Sequence, residues 1–321
     1  MLRSLLISLS KAAWAQRLVT NWRFAWKAAS RFVAGSTVQD AILVVRELNE
    51  KGMNVTLDHL GENTTTRDEA IQATEEIIEL LDQIEQSHVL ANVSVKLTQI
   101  GLELETELCV QNLEKILSHA RKLNNFVRID MENTPYTDRT IQVFQQMQDK
   151  GYGLTGVVIQ SCLFRSKNDV EELLSEGARA RIRLVKGAYK EPPELAFPRK
   201  RDVDSNFDLL AGMLINAANS AGSSAFSSDG RIPPIPAIGT HDKKRIDYAM
   251  DYASELGLPK QALEFQMLYG IRRDLQYQCL QKGYPVRIYV AYGTHWYPYF
   301  MRRLAERPAN IWFLVSNLFK R

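Results

Sequence analysis

The chain has 321 residues, 45% hydrophobic and 24% charged, enough to bury one large core as a single barrel-sized domain. Lys and Arg number 40 against 37 Asp and Glu, and a net charge of +3 is too small a surplus to point to nucleic acid. Three scattered cysteines without CxxC, and five histidines without HxH or HxxxH spacing, suggest neither a disulfide framework nor a metal site and fit a reducing, cytoplasmic compartment.

The first 39 residues stand apart. They hold Arg3, Lys11, Arg17, Arg23, Lys27 and Arg31 and no acid, and charges interrupt every apolar run before it reaches the roughly 18 residues a spanning helix needs. Three readings fit such a basic amphipathic arm: peripheral docking on the inner face of an anionic membrane, two helices packed outside a barrel, or a mitochondrial-type transit segment.

From residue 40 to residue 321 one unit repeats: an amphipathic helical stretch, a turn, then a few β-rich residues ending in something polar. The strands are predicted at Asn54–Leu57, Asn92–Lys96, Phe126–Asp130, Gly156–Ile159, Arg181–Val185, Ala237–Thr240, Phe265–Leu268 and Arg287–Val290. Between them fall helices such as Arg67–Gln86, Leu108–Leu123, Asp138–Lys150, Asn206–Ala221 and Lys243–Leu256, the last capped by Asp242. Eight parallel strands with crossover helices predict a (β/α)8 TIM-type barrel preceded by N-terminal helices.

The C-terminal ends of barrel strands open onto one face, where chemistry is assembled. Asp58, Lys96, Asp130, Gln160, Lys186 with Tyr189, Thr240 with His241, and Tyr289 stand there, and together they read as a polar site for a large ligand. After the last strand, WYPYFMRRLAE (296–306) places Tyr299, Arg302, Arg303 and Glu306 on one helical face. Two adjacent guanidiniums suit bidentate capture of a carboxylate, whereas a surface Glu306–Arg ion pair is the plainer reading. Residues 222–236 (GSSAFSSDGRIPPIP) read as a flexible loop on the opposite face, and neither GxGxxG nor GxxxxGK[ST] occurs.

These segments, VKLTQIGL (95–102), RIDMEN (128–133), VIQSCLFRS (158–166), RLVKGAY (183–189), THD (240–242), EFQMLYG (264–270) and YGTHWYPYFMRRLAERPAN (292–310), resemble in order and spacing those of monofunctional proline dehydrogenases. The resemblance implies a distorted barrel with FAD over the strand C-termini. It further implies oxidation of L-proline to Δ1-pyrroline-5-carboxylate by hydride transfer to FAD, the first step of proline catabolism. Electrons then go to a membrane quinone, and a pyrroline-5-carboxylate dehydrogenase is a partner for the product. By the same resemblance Asp130 and Arg183 are catalytic, and Lys96, Leu268, Tyr289, Tyr299, Arg302 and Arg303 surround the substrate, with Glu306 bracing the arginines. Met131, Gln160, Arg183, Val185, Lys186, Gly187, Ala188, Thr240 and His241 match flavin contacts.

The residue types suit that chemistry. A glycine lets backbone approach a flat ring, and an arginine near the flavin stabilises charge developing on it. Ala291 and Cys162 depart from the family pattern, which commonly has proline and an aromatic there. Two other activities remain open on the same residues: a Schiff-base lyase using Lys96 or Lys186, and oxidation of hydroxyproline, against which the bulk of Tyr289 stands. A catalytically silent flavin-binding barrel is the non-enzymatic alternative.

Overall fold

A computed structural model of the chain describes residue 16 and residues 23–61, 64–175, 180–221 and 230–306. The strands are β1 (Asn54–His59), β2 (Ala91–Val95), β3 (Val127–Ile129), β4 (Thr155–Gln160), β5 (Arg181–Val185), β6 (Pro236–Gly239), β7 (Glu264–Leu268) and β8 (Val286–Tyr292). They pair in sequence order, all parallel, and β8 closes on β1 with Val55 opposite Ile288 and Leu57 opposite Val290. The described helices are α1 (Arg23–Ala29), α2 (Val38–Glu50), α3 (Arg67–Gln86), α4 (Thr106–Lys122), α5 (Thr134–Asp149), α6 (Ser166–Ser175), α7 (Lys200–Ser220), α8 (Lys243–Glu255), α9 (Arg273–Gln281) and α10 (Trp296–Glu306).

Local signals explain where several helices start. Thr37 and Thr66 form capping boxes with Asp40 and Glu69, so α2 and α3 begin with two orphan backbone N–H groups satisfied. Asp242 caps α8 as expected, accepting from the Lys244 N–H at 3.1 Å. Helices α4, α5 and α7 begin earlier than the apolar periodicity suggests, because their first turns are largely polar; Pro135 opens α5 where its missing N–H costs nothing.

The strands alternate in an unusual sense. Val127 and Ile129, Ile182 and Leu184, Phe265 and Met267, and Ile288 and Val290 all belong to the main apolar core, shared with the inward faces of α2 to α9. Their neighbours Arg128, Arg183, Glu264, Gln266 and Arg287 are also buried; the last four form one chain of contacts across the inside of the barrel, and Arg128 donates to strand carbonyls there. Polar residues therefore fill the lumen, and the dry layer lies between sheet and helices.

The distortion of the barrel has an identifiable cause. Helix α2, which precedes β1, packs on both β1 and β8 and so covers the closing seam. Helix α10 instead packs on α1 and sends Tyr299, Arg302 and Arg303 into a cavity at the barrel mouth. A second apolar cluster holds it there: Ala25, Ala29, Phe32 and Val33 from the arm meet Trp296, Phe300, Met301 and Leu304. Trp26 meets Trp296 edge-on at 5.4 Å, and Phe32 meets Phe300 at 6.3 Å. A backbone strap adds to this, with the Ala34 N–H donating to the Ala291 carbonyl at 2.9 Å and the Gly293 N–H to the Gly35 carbonyl at 3.0 Å.

The described part of the arm is thus a packing element, laid against α10 and the end of β8. The residues before 23, other than Gln16, lie outside the described residues, and with them most of the stretch read as membrane-facing or transit-like. The boundary placed at residue 39 falls in the first turn of α2.

Residues 222–229 of the predicted flexible loop also lie outside the described residues, but its second half is not free. The Gly230 and Arg231 carbonyls accept from Arg287 at 2.5 Å and Asn92 at 2.7 Å, and Ile232 and Ile235 are buried, so residues 230–235 close the N-terminal end of the barrel. Buried lumen side chains need acceptors at that end, and these carbonyls provide them.

Replacing Phe32, which is 4% exposed, by alanine should lower the unfolding free energy by about 3–5 kcal/mol. Denaturant unfolding reads this as an earlier midpoint at unchanged slope. An unmoved midpoint would mean that the strap is not part of the packed structure.

Candidate active site

At the C-terminal ends of the strands lies a cavity of about 880 Å³, within the range of cofactor-sized pockets. Lys96, Asp130, Met131, Gln160, Arg183, Val185, Lys186, Gly187, Ala188, Thr240, His241, Leu268, Tyr289, Tyr299, Arg302 and Arg303 all line it. Among the residues singled out from sequence only Glu306 is unplaced, because its side chain lies outside the described residues although α10 runs to it.

Asp130, just past β3, organises the floor. Its Oδ1 accepts from Ser94 at 2.6 Å and Arg183 Nη1 at 2.9 Å; its Oδ2 accepts from the Tyr289 hydroxyl at 2.6 Å and Lys96 Nζ at 3.5 Å. Burial pushes the Asp130 carboxyl up, but Lys96, Arg183 and the two hydroxyl donors outweigh it and hold the group below the usual carboxylate range. Burial, and then the charge of Asp130, pushes the Tyr289 phenol well above its ordinary value, so it stays a donor. Lys96 also donates to Asp58 at 2.8 Å, and the Arg183 guanidinium lies over the Tyr289 ring at 5.2 Å. An ammonium clamped between two carboxylates suits a fixed cation, not the free amine that Schiff-base chemistry needs.

The roof comes from α10. Tyr299 is 5% and Arg303 7% exposed, the Arg303 guanidinium lies over the Tyr299 ring at 5.0 Å, and half-buried Arg302 lines the cavity beside them. The pair lines the cavity, while Glu306, the other half of the ion-pair reading, has its side chain outside the described residues.

One side of the mouth is cationic. Lys186, Lys200, Lys243, Lys244 and Arg272 line it together with Asp204 and Asp242, while Asp247 and Asp274 pair with Lys243 and Arg272 from behind the lining. Lys186 donates to Asp204 and Asp242, at 2.5 and 2.6 Å. Burial raises the Asp242 carboxyl, but Lys186 and the Lys244 N–H bring it down to about 2. Gly187 has φ +107°, and a Cβ there would lie 2.4 Å from Cys162 Sγ, so this backbone must remain bare. His241 Nε2 accepts from the Leu268 N–H at 2.9 Å, which fixes the ring with its proton on Nδ1. Bare backbone, a fixed imidazole and a cluster of ammonium and guanidinium donors fit a large, flat cofactor that carries anionic groups.

Sequence reasoning passed over Gln266, Asp204, Lys200 and Arg272. Gln266 sits inside EFQMLYG and alternates with apolar residues, a signal that marks a polar face of the strand but not whether that face meets the lumen or water. Arg272 adopts φ +50° at the start of α9, a backbone that only folding reveals.

Three comparisons agree with this geometry. The sequence model described as proline dehydrogenase matches residues 41–315. Proline dehydrogenase 2 of Bacillus subtilis (strain 168) is 36% identical over 320 residues, covering 99% of each chain, and the proline dehydrogenase of Deinococcus radiodurans is 36% identical over 299 residues, covering 92% of this chain and 91% of that one. Among solved structures, proline utilization A from Bdellovibrio bacteriovorus inactivated by N-propargylglycine superposes with a TM-score of 0.79 at 26% identity, covering 92% of this chain and 34% of its own longer one. With both the family pattern and a full-length relative matched across the barrel and the helix over its mouth, the chain belongs to the proline dehydrogenase family.

Proposed function

We propose that this chain oxidises L-proline to Δ1-pyrroline-5-carboxylate using bound FAD, as the first step of proline catabolism. One observation carries the reading: the arginine pair of α10 and the Lys96–Asp130–Arg183–Tyr289 cluster line a single cavity. Met131, Gln160, Val185, Lys186, Gly187, Ala188, Thr240 and His241 would hold the cofactor along the wall with the bare glycine and the cationic rim. Bound FAD supplies the two-electron acceptor for the hydride leaving the carbon next to nitrogen.

The chain's own groups do the remainder. Arg302 and Arg303 hold the substrate carboxylate in a site that α10 shields from water. Leu268, Tyr289 and Tyr299 enclose the ring, and Asp130 fixes the positions of Lys96, Arg183 and Tyr289. The substrate nitrogen must be neutral, because a protonated amine has no lone pair to drive the hydride out. The electrons then pass to a membrane quinone, with the basic stretch before residue 23 as the segment offered to the bilayer. A pyrroline-5-carboxylate dehydrogenase is the partner that consumes the product.

The deciding experiment is anaerobic titration of the yellow protein with L-proline, which should bleach the flavin absorbance; a silent barrel would keep its spectrum. Arg302→Met or Arg303→Met should each weaken proline binding by about 2–4 kcal/mol while leaving flavin bound. A KM unchanged in either would remove that arginine from the substrate site. Tyr289→Ser should lower proline turnover and shift the kcat/KM ratio towards 4-hydroxyproline, since it opens space beside the ring; an unmoved ratio would place Tyr289 elsewhere.

The pH dependence follows from the site. Asp130 is held low and Tyr289 high, so neither changes charge around neutrality, and activity lost towards acid reflects protonation of the substrate amine. A substrate analogue with a less basic amine should move the acid limb of kcat/KM to lower pH. A limb that stays put would assign the titration to the enzyme.

A further inference from the structure

Beneath the cavity, a chain of side chains runs down the lumen to the far end of the barrel. Arg183 Nε donates to Gln266 Oε1 at 2.5 Å, and Gln266 Nε2 donates to Glu264 Oε1 at 2.6 Å. Arg287 then grips Glu264 with Nε at 2.9 Å and Nη2 at 3.0 Å. Backbone anchors the lower end, with Arg287 donating to the Val55 carbonyl at 2.9 Å and the Gly230 carbonyl at 2.5 Å. Glu264 and Arg287 are each 1% exposed, and Gln266 and Arg183 5%, so none of these groups exchanges partners with bulk water.

The chemistry fixes the direction of the amide. A guanidinium only donates and a carboxylate only accepts, so the Gln266 oxygen must face Arg183 and its NH2 must face Glu264. Gln266 also separates two ion pairs, Arg183–Asp130 above and Arg287–Glu264 below. A neutral amide at this position gives Arg183 an acceptor without adding a second carboxylate to the one that Asp130 already sets against it. A carboxylate would set two negative charges against the one guanidinium, and an apolar side chain would leave Nε without that acceptor and Glu264 without that donor.

We propose that Gln266, locked by Glu264 and Arg287, is a positioning residue that sets the aim of Arg183 and keeps its positive charge directed at the cofactor. The inference rests on the reading above that Arg183 faces the flavin. It makes the identity of a residue that does not itself react a determinant of how readily the flavin accepts electrons.

The test uses Gln266→Glu and Gln266→Met in the full-length, FAD-loaded enzyme, with the flavin midpoint potential measured against the parent across pH, beside kcat and KM for L-proline. A neutral carboxylic acid reproduces both contacts, donating O–H to Glu264 and accepting from Arg183. Q266E should therefore match the parent at acid pH. As pH rises and the new group ionises, its potential should fall away from the parent's, by about 30 mV for a tenfold weaker hold on the reduced form of a two-electron couple. Over the same range kcat should drop about tenfold with KM for proline within about twofold. Q266M should show a kcat loss of similar size at every pH.

A merely structural role would lower the melting temperature and move neither the potential difference nor its pH dependence, and that outcome overturns the proposal. Should Q266M fail to fold, Q266E, nearly the same shape as the parent, decides alone. If proline fails to reduce the parent, the activity reading falls, whereas chemical reduction of parent and variant still measures the potential difference.

Discussion

A charge placed inside a closed barrel is cut off from bulk water and has to find its partners inside that barrel. Asp58, Lys96, Asp130, Arg183, Glu264 and Arg287 meet this condition by pairing with one another, so their positions are mutually determined. Breaking one buried pair typically costs about 3–5 kcal/mol, because its partner is left charged and unpaired. Barrels of this class usually fill the lumen with branched apolar side chains. Here ionic pairing takes the place of apolar layering, and the same pairs that satisfy the interior hold the groups at the mouth in register. Arg128 shows how tightly the lumen is filled: its Nη1 donates to the Val157 and Arg181 carbonyls, its guanidinium lies over Phe126 at 4.8 Å, and a Cβ on Gly156 would come within 2.3 Å of it.

The apolar energy lies elsewhere, in two separate clusters. The larger one, between sheet and helices, makes the barrel; the smaller one, between the arm and α10, completes the mouth. Because α2 takes the seam between β1 and β8, the helix after the last strand is free to lie across the opening. A substrate-binding roof therefore costs the barrel no wall.

Much of this was legible in the sequence. The eight strands, the starts of α3 and α8, and the aromatic helix from Trp296 each carry local signals that survive folding: β-rich runs, capping residues and helical spacing. The gathering of Lys96, Asp130 and Tyr289 followed from the rule that strand ends share a face, whereas Arg183, in the middle of β5, came only from the family resemblance. Two things were not legible. Alternation within a strand reads alike whether the polar face meets water or the lumen, so nothing local marks Glu264 and Arg287 as partners, nor Gln266 as the link to Arg183. The pairing of residues 33–35 with the end of β8 likewise has no local signature, and composition alone drew the arm towards the membrane or the outer wall.

That strap also sets an order of events. Residues 32–35 leave the ribosome early, yet the surfaces they bind, around Ala291 and Phe300, follow about 260 residues later, roughly 13–50 s at ordinary rates of synthesis. Throughout that interval Phe32 and Val33 have no native apolar partner on α10. The mouth cannot assemble before that interval ends, and because β8 and α10 follow one another within a few residues, closing the barrel and roofing it become nearly one event.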